Sequence, residues 1–398
     1  MTQNSSTDEA ERTPDAPTNA MSEPPPPANG LIPAAPVTPK DAKAKWTGNI
    51  FLFDNLRFLA IFMVCLQHFS NTLAIAMPGH QNSTLVFLIG ATYAFAMPLF
   101  AFASGYSQKN LKDTGFFRKT LAIYCAANLL YLPHFILIHL VHNHEALDLP
   151  FLLVGPTEFV LWYLMALLIW KLITPFVVQF RRPLLTSIVF AVVLYSASER
   201  FNQPPLTFNM EAWYFMVVLT IKIYPFYLLG VIVTRENIFW LRSSSLKYLL
   251  LIPAVAAIYF CGAGVQTSNK FLECVSWLAA AAFCSAAILA LIPGRSFKFF
   301  TPLGRKTYGI YLFHSYVIKL LVALLIIPGL KSLFLRSTPA VLVGIAFIMA
   351  YGVCIIASSN TLQILFNKLS AFIEFLLFDT ARNAGPIQAR AAVSRETV

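Results

Sequence analysis

An all-α integral membrane protein with about ten transmembrane helices and both termini in the cytoplasm is the fold the sequence predicts. Two observations carry that prediction. The chain is 57% hydrophobic and 12% charged, with a mean hydropathy of +0.65, whereas a soluble domain holds roughly 25% charged residues. Its apolar residues gather into stretches near the ~20-residue length a helix needs to cross a bilayer. The second observation is an alternation of charge. Connections holding Lys40, Lys43 and Lys45, then Lys109, Lys112, Arg118 and Lys119, then Arg181 and Arg182, then Arg235, Arg242 and Lys247, then Arg295, Lys298, Arg305 and Lys306 are basic. The intervening ones are poor: none in 75–84 or 142–157, then Arg200, Lys270, and Lys331 with Arg336. Lys and Arg accumulate on the cytoplasmic side of membrane proteins. The net charge of +11 is therefore an orientation signal, and nucleic acid is not an expected partner.

Each element follows in order. Residues 1–46, with runs such as TPDAPTNAMSEPPPPANG, are too poor in apolar residues to order themselves and read as a disordered cytoplasmic tail. A transmembrane domain follows over 47–360, with spans expected at 50–74, 85–106, 118–141, 158–177, 183–198, 212–233, 246–264, 271–292, 307–328 and 339–358. The fifth is short. Beyond it, 361–398 reads as a cytoplasmic amphipathic helix and tail. In 362–378, Gln363, Asn367, Ser370 and Glu374 recur at helical spacing, the pattern of a helix lying on the inner surface of the bilayer. The six cysteines form no CxxC pair, so neither a metal site nor a disulfide framework is expected.

The first span, NIFLFDNLRFLAIFMVCLQHFSNTLAIA, carries Asp54, Arg57 and His68. At ~100° per residue, Arg57 and His68 fall within about 20° of each other on one face, and about 16 Å apart along the axis. Asp54 joins Arg57 by an i,i+3 step. Ionisable groups in a bilayer are costly unless they are paired or face a wet cavity. A guanidinium near the inner side suits a phosphate, and a histidine deeper in suits proton transfer. Cys65, one turn before His68, reads as a packing residue. Glu158 opens the fourth span, where Trp162 and Tyr163 read as interface anchors. Lys222 and Lys319 read as snorkelling residues, and YGIYLFH sets Tyr308, Tyr311 and His314 along the ninth span.

FDNLRFLAIFMVCLQH, with ten residues between Arg57 and His68, resembles the opening of the acyltransferase-3 family of integral membrane O-acyltransferases. PLFAFASGY, LWYLMALLIWKL, YPFYLLG and LGRKTYGIYLFH match in the family's order. The resemblance covers about 49–349. It implies a ten-helix bundle that moves an acyl group, usually acetyl from acetyl-CoA, onto a hydroxyl. It makes His68 the catalytic residue and Arg57 a donor-side residue. From the residues themselves, Asp54, Glu158 and His314 are expected in support, and Arg118, Lys119 and Arg305 are expected to join Arg57 as donor-binding cations. One departure stands: the family often has two arginines three apart at the third span, whereas here Arg118 is followed by Lys119, Thr120 and Leu121. The implied acceptor is an envelope glycan or glycolipid at the cell inner membrane; the Pro/Ala-rich tail adds a mycolate-bearing sugar lipid as one candidate. No cofactor is expected to be held permanently and no metal is expected. Direct transfer and a transient acyl-histidine are both compatible with these residues. The alternative function is a secondary transporter or exporter of an anionic or lipid-linked precursor. It is disfavoured by the lack of a visible internal repeat and of ion-coupling acids in mid-membrane, Asp54 lying near an end of its span with Arg57 close by. A non-catalytic scaffold leaves a buried His68 without a purpose.

Cysteine-accessibility tagging tests the orientation. Positions introduced in 107–117 and 235–245 should react only from the cytoplasm, and positions in 142–156 only from outside. Labelling with the opposite sidedness contradicts the topology.

Overall fold

The computed structural model describes residues 51–76, 83–109, 114–137, 156–198, 208–265, 268–325 and 338–378. The expected tails at 1–46 and beyond 378 lie outside the described residues, as does most of the 142–157 connection. Helix α1 is Leu52–Ala76, α2 Ser83–Tyr93, α3 Ala96–Ser107 and α4 Thr114–Ile136. A 3-10 turn, Phe159–Leu161, leads into α5, Trp162–Val177, followed by α6, Pro183–Ser198, and α7, Phe208–Ile232. Next come α8, Arg235–Ser243, and α9, Leu246–Gly262. The chain continues with α10, Lys270–Leu291, the short α11, Thr301–Arg305, and α12, Thr307–Leu325. It closes with α13, Pro339–Ala357, and α14, Asn360–Leu377. No strand occurs among the described residues, and the chain is an all-α, multi-pass membrane protein.

Seven of these helices, α2 and α3 counting as one, are long and apolar enough to cross a membrane, and α8 with α9 makes an eighth if that pair, bent by 77°, is one span. Helix α6 is apolar but has 16 residues. Helix α4 covers residues 118–136 of the third expected stretch, 118–141, with Arg118 and Lys119 near one end and Pro133 and His134 near the other, and is not among those seven. Two features depart from the expected pattern. The second span is broken at Ala94–Phe95, just after Thr92 turns its hydroxyl onto the carbonyls of Leu88 at 2.7 Å and Ile89 at 3.1 Å. Such back-bonding competes with the helix's own ladder. The charged stretch after α7 is a helix and not a loop. Thr234 caps α8 through a reciprocal pair with Asn237.

Helix α1 is the hub, packed by α2, α3, α11, α12 and α13. Its Leu52, Leu56, Ala60, Ile61, Leu66 and Phe69 are fully buried. The basic connections meet at one end of the bundle. The Asn55 amide donates to Pro293 O at 2.8 Å and Arg295 O at 2.9 Å, Arg242 donates to Leu289 O and Ile292 O, and Lys306 reaches Asn360 Oδ1 at 2.7 Å. Helix α14 lies across this end. Its Phe366 is buried against Tyr308 and Phe313, and its Glu374 pairs with Arg118 at 3.9 Å. Leu365, Phe372, Phe375 and Leu376 are left exposed on its other face.

Without a hydrophobic drive between helices in lipid, close backbone approach at small residues supplies the packing. A Cβ on Gly105 would strike the carbonyl oxygen of Tyr227, and one on Gly230 that of Phe102. These two glycines let α3 and α7 cross. Gly105→Val or Gly230→Val should therefore lower the melting temperature and the monodisperse yield, overpacking costing about 1–3 kcal/mol. Gly344→Ala, where nothing lies within 4 Å, should leave both unchanged. Equal behaviour of the three variants in thermal-shift and size-exclusion measurements contradicts this packing.

Candidate active site

A cavity of about 250 Å³ opens near the basic end, lined by Arg57, Ser104, Tyr163, Arg305, Tyr308 and Tyr311 among others. Its charge is set where α11 presses on α1. A Cβ on Gly304 would strike the carbonyl of Asp54, so only glycine lets α11 come this close. That approach brings Arg305 beside Asp54, with Nε at 3.0 Å from Oδ2. Asp54 also faces Arg57 at 3.7 Å, and Arg57 donates to the Ser107 hydroxyl. One carboxylate thus stands between two guanidinium groups, and the mouth of the cavity keeps a surplus positive charge. Farther in, the Tyr163 hydroxyl donates to Ser104 Oγ at 2.9 Å, and the rings of Phe100, Tyr163 and Tyr311 pack edge to face or stacked.

One turn beyond Tyr311 along α12 stands His314, fully buried. Its ring centroid is 5.2 Å from that of His68 and 6.0 Å from that of Tyr311. His68, partly buried, has its own carbonyl bonded by Thr72 Oγ1 at 2.8 Å. The two histidines come from helices far apart in sequence, and the structure brings their rings side by side, tilted by 54°, outside the cavity lining.

Glu158 belongs to a third group. It receives Lys319 Nζ at 2.8 Å and Ser315 Oγ at 3.1 Å, with His134 Nδ1 at 3.5 Å. His134 and Lys319 were not recognised as its partners from the sequence. The available signal was the i,i+4 pair of Ser315 and Lys319 on an otherwise apolar helix. Ser315 follows His314 directly, so this cluster continues the polar line away from the basic end.

The remaining expected residues are distributed differently. Arg118 pairs with Glu374 at 3.9 Å and stands 5.9 Å from the Phe378 ring, and Lys119 is exposed. Neither lines the cavity, whereas Arg57 and Arg305 both do. Cys65 turns its thiol to Cys354, 3.8 Å away, and both are fully buried. Trp162 and Tyr163, expected as interface anchors, are instead core residues with 5% and 1% exposure. Tyr163 lines the cavity, and the Trp162 ring packs edge-on against it. Lys222, expected to snorkel outward, is buried beneath aromatic rings, 4.2 Å from Trp277 and 4.6 Å from Tyr195. Cation–π attraction takes the place of water there. Among the described residues no cluster of histidine, cysteine and carboxylate side chains is arranged to hold a metal ion.

The chain is a multi-pass membrane protein with a cationic cavity whose wall residue Tyr311 stands 6.0 Å, between ring centroids, from the buried His314. Residues 51–359 match a family model described as an acyltransferase domain, and the chain belongs to that acyltransferase-3 family. It is thus a membrane acyltransferase. Searches of curated proteins and of solved structures found no match.

Proposed function

We propose that this protein is an inner-membrane O-acetyltransferase that moves acetyl from acetyl-CoA to a hydroxyl of an envelope glycan or glycolipid. The observation that carries the reading is the two-guanidinium mouth, Arg57 and Arg305 about one Asp54, on a cavity whose wall residue Tyr311 stands beside His314, itself next to His68. The surplus charge suits the phosphates of coenzyme A, and planar guanidinium forks bind phosphate oxygens two at a time. The cavity is smaller than the roughly 300–1,000 Å³ of a drug-sized ligand pocket. It suits an acyl-pantetheine arm, with the nucleotide held at the mouth. With the basic end in the cytoplasm, the donor arrives from inside. Coenzyme A is a substrate in this reading and no cofactor stays bound.

The chemistry follows from placement. The acceptor hydroxyl attacks the thioester carbonyl while His68, as general base, takes its proton. The carbon–sulfur bond then breaks, and the proton ends on the departing thiolate. The acceptor meets His68 from the side of Glu158, whose cluster with Lys319, His134 and Ser315 offers polar contacts to a sugar. Arg118 sits at the basic end but is engaged with Glu374, so its part in donor binding is indirect, through α14.

Two variants test the assignment. His68→Ala should reduce acetyl transfer by at least the ~10²-fold typical of an acid–base group while the protein stays monodisperse. Retention of wild-type turnover removes His68 from the reaction. Arg57→Lys keeps the charge but loses the fork, so it should weaken acetyl-CoA binding in isothermal titration by about tenfold, the loss of one charge-assisted hydrogen bond of roughly 1.5 kcal/mol. Unchanged affinity there, and in Arg57→Ala, contradicts the donor site.

A further inference from the structure

His314 has a settled tautomer and an open bonding position. Its Nδ1 lies 2.6 Å from the Tyr311 carbonyl oxygen, three residues earlier on α12. A carbonyl can only accept, so Nδ1 carries a hydrogen and donates it. The neutral ring then keeps its lone pair at Nε2, which is buried and makes no hydrogen bond. Buried polar atoms are nearly always paired, so an unfilled one needs a reason. The turn that carries the ring is fixed from two sides. Tyr131 Oη donates to Leu312 O at 2.8 Å, and Tyr311 Oη donates to Val160 O. These bonds tie it to α4 and to the 3-10 turn before α5. The aromatic side chains beside the His314 ring are Tyr311 and His68, the latter tilted by 54° at 5.2 Å between centroids.

We propose that His314 is the positioning residue for His68. The two rings make no hydrogen bond in the structure; a turn of the His68 ring about its side-chain bonds brings one of its N–H groups to the open Nε2, which then holds His68 in the tautomer whose other nitrogen is free to take the acceptor's proton. The inference rests on the reading of His68 as general base. In a serine-hydrolase triad a buried carboxylate performs this orienting task. A neutral imidazole performs it here without placing a bare anion in an apolar bundle, where an unpaired charge is costly. The balance of the reaction is untouched. The hydroxyl oxygen bonds to the thioester carbon, its proton passes to His68, the carbon–sulfur bond breaks and the proton moves to sulfur. His314 ends each cycle as it began.

The test uses the full-length detergent-purified protein, radiolabelled acetyl-CoA and an envelope-lipid extract as acceptor. His314→Phe keeps a ring but removes the lone pair. It should lower kcat at least ~10-fold, the lower part of what proton-transfer groups contribute, and leave the KM for acetyl-CoA within about twofold. His314→Gln returns an acceptor oxygen near the Nε2 position and should recover most of that loss. The double variant His68→Ala/His314→Phe should fall no lower than His68→Ala alone, because a residue that acts through another adds nothing once its partner is gone. Wild-type turnover in His314→Phe, equal losses in the Phe and Gln variants, or a double variant well below His68→Ala each overturn the proposal. If His314→Phe does not purify as a single species, His314→Met takes its place with the same expected contrast to Gln. Wild-type turnover in His68→Ala would instead defeat the general-base reading itself. Loss in His68→Ala beside normal His314 variants defeats only the positioning role.

Discussion

The Asn55 side chain joins the start of α1 to the segment that leads into α12. Its Nδ2 donates to Pro293 O and Arg295 O, and its Oδ1 accepts the Thr301 hydroxyl at 2.7 Å. With Gly304 pressed on the Asp54 backbone, this clasp sets where α11 ends and where α12 begins. The rest of the site hangs from that register. Arg305 meets Asp54, Tyr308 and Tyr311 enter the cavity wall, His314 faces His68, and Ser315 and Lys319 reach Glu158. Arg305 ends α11, and along α12 Tyr308, Tyr311 and His314 follow at steps of three, with Ser315 next to His314 and Lys319 four residues further on. A shift of one residue turns a helix by about 100° and would dismantle every one of these pairings.

Ionisable groups within a bundle this apolar must be paired, caged or put to use, and the first two solutions both occur. Asp54 with its two arginines and Glu158 with Lys319 are paired. Lys222 is caged by rings. The histidine pair is neither, and it lies between the two charged groups. The polar residues therefore form a line across the bundle, cationic at one end, neutral imidazole in the middle and balanced at the other. That order suits a reaction in which an anionic carrier stays at one end and only a small neutral group travels.

The helical framework was legible in the sequence because span length and loop charge are local properties. The expected 183–198 coincides with α6, and 339–358 lies within a residue of α13. What escaped was non-local or locally ambiguous. An aromatic residue at a span's end looks the same whether it meets lipid headgroups or a core, so Trp162 and Tyr163 read as anchors although both are buried. The break at Phe95 is announced only indirectly: Pro98, three residues on, cannot donate to the Ala94 carbonyl, but a proline inside an apolar run fits a kinked continuous span as well as a broken one. Thr234 and Asn237 cap α8 without the glutamate that usually marks such a start. In the candidate site, the i,i+3 pairing of Asp54 with Arg57 could be read directly. The pairing of Arg305 with Asp54, of Arg118 with Glu374 and of His68 with His314 spans hundreds of residues, and only the folded bundle brings each together.

The central claim is that acetyl passes from a cytoplasmic thioester to an acceptor on the other side of the membrane. Sealed inside-out vesicles from cells producing the protein test it most directly, with radiolabelled acetyl-CoA outside and an impermeant esterase added afterwards. The account predicts labelled envelope lipid or glycan that resists the esterase until detergent opens the vesicles, and none in vesicles carrying His68→Ala. Label removed from intact vesicles, or label formed equally by the His68→Ala protein, contradicts it.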